Sequence, residues 1–378
     1  MNKIIVVYLG NLNSVPPVRS LLSSLSLIKT IETHLVITKD GIENNDPLNE
    51  SLCVHYIDEE YRKDIPITSK VFRTDRLRKK LWKAIDLIYD DESLLWIISD
   101  VCVKNLGKQL LQYNYVLQLF ELIEHAYLIP KYQLGSVHID RFAKAAIQII
   151  VPEYNRAHIT KAWWGLDRLP FVLPNKPFYN DISTERNLEI THSKEASRVL
   201  SLISDKKIIL YQGIIHKERP LENFVKAVEK LGDEYAFVVM SSGEDPYKSM
   251  GSKNYFFIPF VPAPYHLEIT SRAYIGVLSY VPVKTTYSIL NAVYCAPNKT
   301  FEYSRFGVPM ISNDVPGLDY LFAKDNCGRI VDLDNVDSIC EAISYISTHY
   351  DYFSENARKY YESVDYEKKV KELLDEVF

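Results

Sequence analysis

Apolar positions along the chain fall into two kinds of run. Short continuous runs rich in β-branched residues, beginning with KIIVVYL (3–9), read as strands buried on both faces of a parallel sheet. HLVIT (34–38), CVHYI (53–57), LLWIIS (94–99), YVLQLF (115–120) and IQIIVP (147–152) repeat that type. Between them, 18–30, 73–89, 103–112 and 138–146 carry apolar residues at helical spacing. Such alternation predicts a parallel α/β sheet covered on both sides. A stretch with three prolines, LPFVLPNKPFYNDISTERN (169–187), interrupts the pattern and reads as an interdomain connection. The alternation then restarts with KKIILYQG (206–213), a helix near 219–231, YAFVVMSSG (235–243), NYFFIPFV (254–261), YIGVLSY (274–280), PMISNDV (309–315) and GRIVDL (328–333). The remainder, about 336–378, is helical with mixed charge. Two tandem α/β units are expected, with ligands beyond the carboxyl ends of their strands and a cleft between them.

Composition narrows the picture. A chain of 378 residues supports two or three domains. With 44 Lys and Arg against 49 Asp and Glu, net −5, it is not a nucleic-acid coat, and no nucleic-acid partner is expected. The five cysteines (Cys53, Cys102, Cys295, Cys327, Cys340) include no C-x-x-C pair, so neither a disulfide framework nor a zinc site is indicated and a reducing cytoplasm fits. No apolar run approaches a membrane span or a signal peptide core. Dinucleotide, P-loop, serine-hydrolase and H-E-x-x-H motifs are absent, and the nine histidines lack metal-ligand spacing. Asp332 and Asp334 precede a helix and read as caps rather than a metal clamp. No metal site and no cofactor are expected.

One basic stretch stands out. RKDIPITSKVFRTDRLRKKLWK (62–83) holds nine Lys or Arg against Asp64 and Asp75. Phe72, Leu77, Leu81 and Trp82 form a stripe that suits either a helix lying on an anionic membrane or a core helix with a solvated outer face. The first reading makes the protein peripheral on the inner face of the membrane.

The most informative segment is PNKTFEYSRFGVPMI (297–311). Pro297 marks a helix start, Asn298–Arg305 has helical spacing, and Gly307 ends the helix. Free amides and Lys299 at that start suit a phosphate, and Glu302 one turn on suits neutral hydroxyls. A capped helix with solvated charges has the same spacing.

This segment resembles the nucleotide-sugar motif of the GT4 glycosyltransferases, retaining enzymes of the two-domain GT-B fold. VPEYNRA (151–157), VLPNKP (172–177), LYQGIIHKERPLENFVKAV (210–228) and NDVPGL (313–318) resemble further family segments in order; over most of 1–150 the likeness is topological. The resemblance implies an α/β fold of two Rossmann-like domains facing across a cleft. An acceptor-side domain would span 1–178, with a C-terminal helix of about 355–378 crossing back to it, and a donor domain would span 179–354. It implies that Glu302 binds the ribose hydroxyls, and that Lys299 with the amides of the Asn298–Thr300–Phe301 turn holds the diphosphate. Gly213 would let the loop approach it, and Arg219, helped by His216 or Lys217, would carry phosphate charge, since Ile214 stands where a basic residue is usual. Ser242 and Gly243 would face the donor, and the loop Pro262–Tyr265 would receive the base. Tyr294 occupies a position where the family often has a Glu that touches the sugar; with Asn291 it reads as a subclass mark. Gly10, Asn11, Asp100, Glu121 and Glu153, at strand ends of the first unit, are the acceptor-side candidates. The activity implied is metal-independent, retaining transfer of a sugar from a nucleoside diphosphate, uridine favoured over guanosine, to a glycan or lipid-linked acceptor in bacterial surface-polysaccharide synthesis. A nucleotide-sugar epimerase and a non-catalytic GT-B partner subunit are the alternatives.

Overall fold

The computed structural model describes residues 2–43, 46–60, 67–129, 134–178, 182–283 and 287–378, without the side chains of 67–72 and 129. The chain forms two compact units. The first comprises Met1–Pro174, Lys284–Ser288 and Tyr366–Phe378, and the second Asn175–Val283 and Ile289–Asp365.

In the first unit the order is β1 (Lys3–Tyr8), α1 (Pro16–Ser26), β2 (Glu32–Thr38), α2 (Leu48–Ser51), β3 (Cys53–Ile57), α3 (Ile67–Asp86), β4 (Ser93–Ile98), α4 (Ser99–Leu106) and β5 (Tyr115–Gln118). Then come β6 (Ala126–Ile129), β7 (Leu134–Val137), α5 (Ile139–Ala145), β8 (Gln148–Val151), α6 (Tyr154–Trp164) and β9 (Phe171–Val172). Seven parallel strands pair in the order β3-β2-β1-β4-β5-β8-β9, while β6 and β7 form a separate antiparallel pair. The sheet core is apolar throughout: β4 is buried at every position and Trp96, wholly buried, satisfies its indole N–H on the Gln118 side chain at 2.8 Å.

The second unit runs α7 (Lys194–Leu202), β10 (Lys207–Gln212), α8 (Glu222–Leu231), β11 (Tyr235–Ser241), β12 (Tyr255–Pro259), α9 (His266–Thr270), β13 (Ile275–Leu278), α10 (Leu290–Val293), α11 (Lys299–Arg305), β14 (Met310–Ser312), β15 (Gly328–Ile330), α12 (Val336–Thr348) and α13 (Tyr350–Ser363). Its six strands are parallel in the order β12-β11-β10-β13-β14-β15. The last helix, α14 (Tyr366–Val377), belongs to the first unit, where Val370, Leu373, Leu374 and Val377 are buried and Gln148 donates to Glu376 at 2.5 Å.

The alternating runs of the sequence therefore become the two parallel sheets. The pair β6–β7 and helices α2, α6, α7, α9 and α10 were not expected. The pair β6–β7 and helices α2, α9 and α10 are four or five residues each and α6 lacks an apolar face, whereas α7 does bury Ala196, Val199 and Leu200 at helical spacing, in a nine-residue run too short to stand out.

The described part of the basic stretch 62–83 is a core helix with a charged outer face. Positions 62–66 and the Phe72 side chain lie outside the described residues. In the described part, Leu77, Leu81 and Trp82 pack into the first unit's core, and the Trp82 indole donates to the Leu106 carbonyl at 2.9 Å. These three residues face the sheet and are not a membrane-binding stripe. Outside, Arg76 and Lys80 pair with Glu59 at 2.7 and 3.0 Å, and Lys79 with Asp75 at 2.9 Å. Among the described residues no helix is long and apolar enough to cross a membrane.

Candidate functional site

In an open parallel sheet the ligand site lies beyond the carboxyl ends of the strands, where the strand order reverses. In the second unit that point is β10, flanked by β11 and β13. Gly213 follows β10, Ser242 and Gly243 follow β11, Pro262–Tyr265 follow β12, and Tyr280 follows β13. The donor-side candidates Gly213, Ser242, Gly243 and Pro262–Tyr265 therefore gather at one edge of the sheet, together with Tyr280. Gly213 holds a φ of 126° and its amide donates to the Met240 carbonyl at 3.0 Å, turning the chain sharply at the end of the strand. Ser242 and Gly243 are exposed, the latter with a φ of 87°.

Helix α11 is seated on this edge by a close approach. The Tyr303 ring lies against Gly276 of β13, where a Cβ would come within 2.4 Å of it, and the Tyr303 hydroxyl donates to the Leu210 carbonyl at 2.9 Å. All seven residues of the helix are buried. Lys299 is only 9% exposed, and its ammonium sits over the Tyr211 ring at 4.1 Å and the Tyr280 ring at 5.4 Å. Among the described residues no carboxylate or carbonyl pairs with it. Burial and the nearby Arg219 cation pull its pKa well below the ordinary 10.5, against the pull of Glu302. A Cβ on Gly213 would stand 3.8 Å from the Lys299 Nζ, so this glycine leaves the space beside the ammonium open. The Arg219 guanidinium also lies over Tyr280, 4.9 Å from the ring centre. Two cations thus share an aromatic floor made of Tyr211 and Tyr280.

Glu302 is 4% exposed and does not point at solvent. Its Oε2 accepts from the Gln212 side chain at 2.5 Å and its Oε1 lies 3.1 Å from His266 Nε2. Thr270 completes the group by donating to Gln212 Oε1 at 2.7 Å. Burial would raise the Glu302 pKa, but His266, the Gln212 bond and Lys299 together hold it below its ordinary value. Each carboxylate oxygen has capacity for a further hydrogen bond. Gln212, His266, Tyr211 and Tyr280 were missed by sequence reasoning. Gln212 ends a strand already identified, but nothing in its own surroundings marks it.

The helix start differs from expectation. The Thr300 amide donates to the Pro297 carbonyl at 3.3 Å and the Phe301 amide to the Asn298 carbonyl at 3.0 Å. Those two amides are turned inward and are not phosphate donors. Among the described residues, the amides of Asn298 and Lys299 are without such a bond. The Thr300 hydroxyl likewise donates to Pro297, at 2.9 Å. Tyr294 and Asn291 are half-buried around α10, and Gly317 of the NDVPGL loop packs on the Tyr294–Cys295 backbone, where a Cβ would come within 2.6 Å. Tyr265 stacks on His192 with ring centres 3.4 Å apart, so one face of its ring is covered. His216 and Lys217 are exposed in the loop after β10.

In the first unit the order reverses at β1, between β2 and β4. Gly10 and Asn11 follow β1, and Asp100 follows β4. Asn11 caps the next turn by accepting the Asn13 amide at 2.8 Å. Asp100, 2% exposed, forms an ion pair with Lys104. Just before it, Ser99 holds a φ of 70°, a conformation that side chains rarely adopt. Glu121 is exposed. Glu153 caps α6, accepting the amides of Asn155 and Arg156 at 2.9 Å each. Asp332 accepts the Asp334 amide at 3.0 Å, a turn rather than a metal clamp.

Comparison with protein-family profiles and with curated sequences finds no match. Solved structures do match over almost the whole chain. Sucrose-phosphate synthase from Thermosynechococcus elongatus is 16% identical with a TM-score of 0.66, covering 99% of this chain and 98% of that one. HepE from Anabaena, in complex with UDP and glucose, is 8% identical with a TM-score of 0.66 and covers 99% of both chains. The trehalose 6-phosphate synthase of Burkholderia multivorans is 8% identical, TM-score 0.63, covering 100% of this chain and 96% of that one. Two parallel-sheet α/β units with these neighbours define the fold as GT-B. At such identities the likeness is one of fold.

Proposed function

We propose that the protein is a glycosyltransferase that takes a nucleoside diphosphate sugar in its second unit and passes the sugar to an acceptor hydroxyl held by the first. The observation that carries this reading is Lys299: a buried ammonium on two aromatic faces, without a carboxylate partner among the described residues, beside the open space that Gly213 leaves. An anion is the natural complement of such a group, and Arg219 adds a second charge. As the bond from the sugar C1 to the diphosphate oxygen breaks, negative charge builds on the departing phosphate. Lys299 and Arg219 stabilise that charge in a site where water does not screen it. The acceptor oxygen bonds to C1 on the face the phosphate leaves, giving retention, and the acceptor proton passes to the departing phosphate oxygen. Glu302, fixed by Gln212 and His266, accepts from the ribose hydroxyls, while the Pro262–Tyr265 loop receives the base and Tyr294 with Asn291 meets the sugar.

The chemistry needs no metal, because the two cations take the leaving charge. We favour uridine as the nucleoside, a glycan or lipid-linked alcohol as acceptor, the GT4 group as the relationship and bacterial surface polysaccharide as the setting. The UDP complex of HepE supports the nucleotide. A Lys299→Ala, Arg219→Ala double variant should lose about 10²–10³-fold or more in donor turnover, the scale set by removing one oxyanion donor. Equal turnover of donor hydrolysis and transfer by this variant and the wild type rejects the assignment.

A further inference from the structure

We infer that the first unit carries a binding site for a borderline divalent transition metal ion of the zinc class, formed by Glu32 and His34 of β2 and Cys53 of the edge strand β3. The parallel register sets His34 of β2 opposite Cys53 of β3. Because side chains two apart on a strand share a face, Glu32 and His34 lie on the same side of β2, as Cys53 and His55 do on β3. The ligand atoms of Glu32, His34 and Cys53 all fall within 4.8 Å of one another. The spacing of these residues along the chain is too wide for a metal motif, which is why the sequence shows none. Sheet pairing alone assembles the set.

The second observation concerns the His34 ring, which is 6% exposed. Its Nδ1 is hydrogen-bonded to His55 Nε2 at 2.8 Å, with the two rings stacked. Its Nε2 is buried without a hydrogen bond, although Glu32 Oε1 lies only 3.1 Å away. With the proton on Nδ1, donated to His55, the Nε2 lone pair faces a carboxylate oxygen. Two acceptors so placed repel unless a positive centre, either a metal ion or the Nε2 proton of the other tautomer, lies between them. The bond from Nδ1–H to a neighbouring acceptor is also what orients ligating histidines in metalloproteins. A metal held at about 2.0–2.3 Å from N, O and S ligands spans separations of the size seen here after a small closure of the exposed Cys53 thiol. Imidazole, thiolate and one carboxylate together favour zinc-class ions over magnesium or calcium. The nearby Lys3 ammonium opposes a cation, but it is paired with Asp90 at 2.5 Å. The ion would tie the edge strand β3 to β2 and leave a coordination position for water. It takes no part in the transfer chemistry assigned to the second unit.

Co2+ titration of the full chain under reducing conditions tests the site, because a thiolate ligand gives cobalt a charge-transfer band. The expected result is a saturable band with a single Co2+ per chain, displaced by Zn2+. It should be absent in Cys53→Ser and weakened at least tenfold in apparent affinity in His34→Gln. Cys102, Cys295, Cys327 and Cys340 are buried and serve as internal controls. Zn2+ should also raise the melting temperature of the wild type and leave that of Cys53→Ser unchanged. No band at micromolar Co2+, or an undiminished band in Cys53→Ser, overturns the proposal. In that event a proton shared by His34 and Glu32 fills the gap instead.

Discussion

Lys299 shows how one residue carries chemistry only through its surroundings. Buried on Tyr211 and Tyr280 and next to Arg219, its ammonium is held well below the ordinary 10.5. A lysine with a depressed folded pKa costs stability at low pH, because the unfolded chain holds the proton that the folded chain resists. Stability should therefore rise with pH between the depressed value and 10.5. Lys299→Met keeps the length and removes the charge. It should be more stable than the wild type at neutral pH, with the advantage shrinking as pH climbs toward 10.5, as read by urea unfolding across that range. A diphosphate beside the ammonium favours its charged form, so at pH values between the depressed and the restored pKa UDP binding should take up protons in the wild type and lose that uptake in Lys299→Met. Calorimetry in buffers of differing ionisation enthalpy measures the difference. Both Lys299 and Glu302 could be singled out from the helix pattern of 297–311. Their partners could not: Gln212 and His266 reach Glu302 from distant parts of the chain, on elements whose own periodicity says nothing of them.

At the scale of elements, α11 is positioned by an absence of side chain. Gly276 in β13 lets the Tyr303 ring lie flat against the sheet, and Tyr303 anchors the helix that presents Lys299. Gly276→Ala should cost about 1–3 kcal/mol by overpacking and should weaken UDP binding, because the displaced ring moves the helix. Chemical denaturation and calorimetry on one preparation test both effects. An unchanged affinity at reduced stability would mean that Lys299 is placed by other contacts. Helix α6 offers a contrast. Glu153 ends a strand and looks in sequence like a substrate-facing acid, yet it caps α6 through two amides. Glu153→Ala should cost about 1 kcal/mol of stability, the usual loss of a cap, measured by thermal unfolding. The same contrast holds in α3, where basic residues around Leu77, Leu81 and Trp82 look like a membrane helix. Amphipathicity specifies that one face is covered and leaves open what covers it. Here the cover is the first unit's own core.

At the scale of the molecule, the chain leaves the first unit at Pro174, builds the second in two stretches separated by Lys284–Ser288 of the first, and returns with Tyr366–Phe378. Leu373 of α14, wholly buried, should cost about 2–5 kcal/mol when replaced by Ala. Under the proposed function that loss falls on the first unit and leaves UDP affinity, a property of the second, unchanged; thermal unfolding with and without UDP separates the two. The alternation of β-branched runs and helical spacings was enough by itself to establish two parallel α/β units. A strand buried on both faces must be apolar throughout, and a helix covering it must be apolar on one side, so local composition carries that information. The helix that begins two residues after Pro297 was legible for a different local reason, proline's fixed φ and missing amide, although which of its amides are free was not. Strand order, the seating of α11 on Gly276, the Glu302–Gln212–His266 group and the meeting of Glu32, His34 and Cys53 were decided by tertiary structure alone. Each depends on which residues distant in sequence share a face or an edge, and pairing and packing choose those neighbours where local pattern does not.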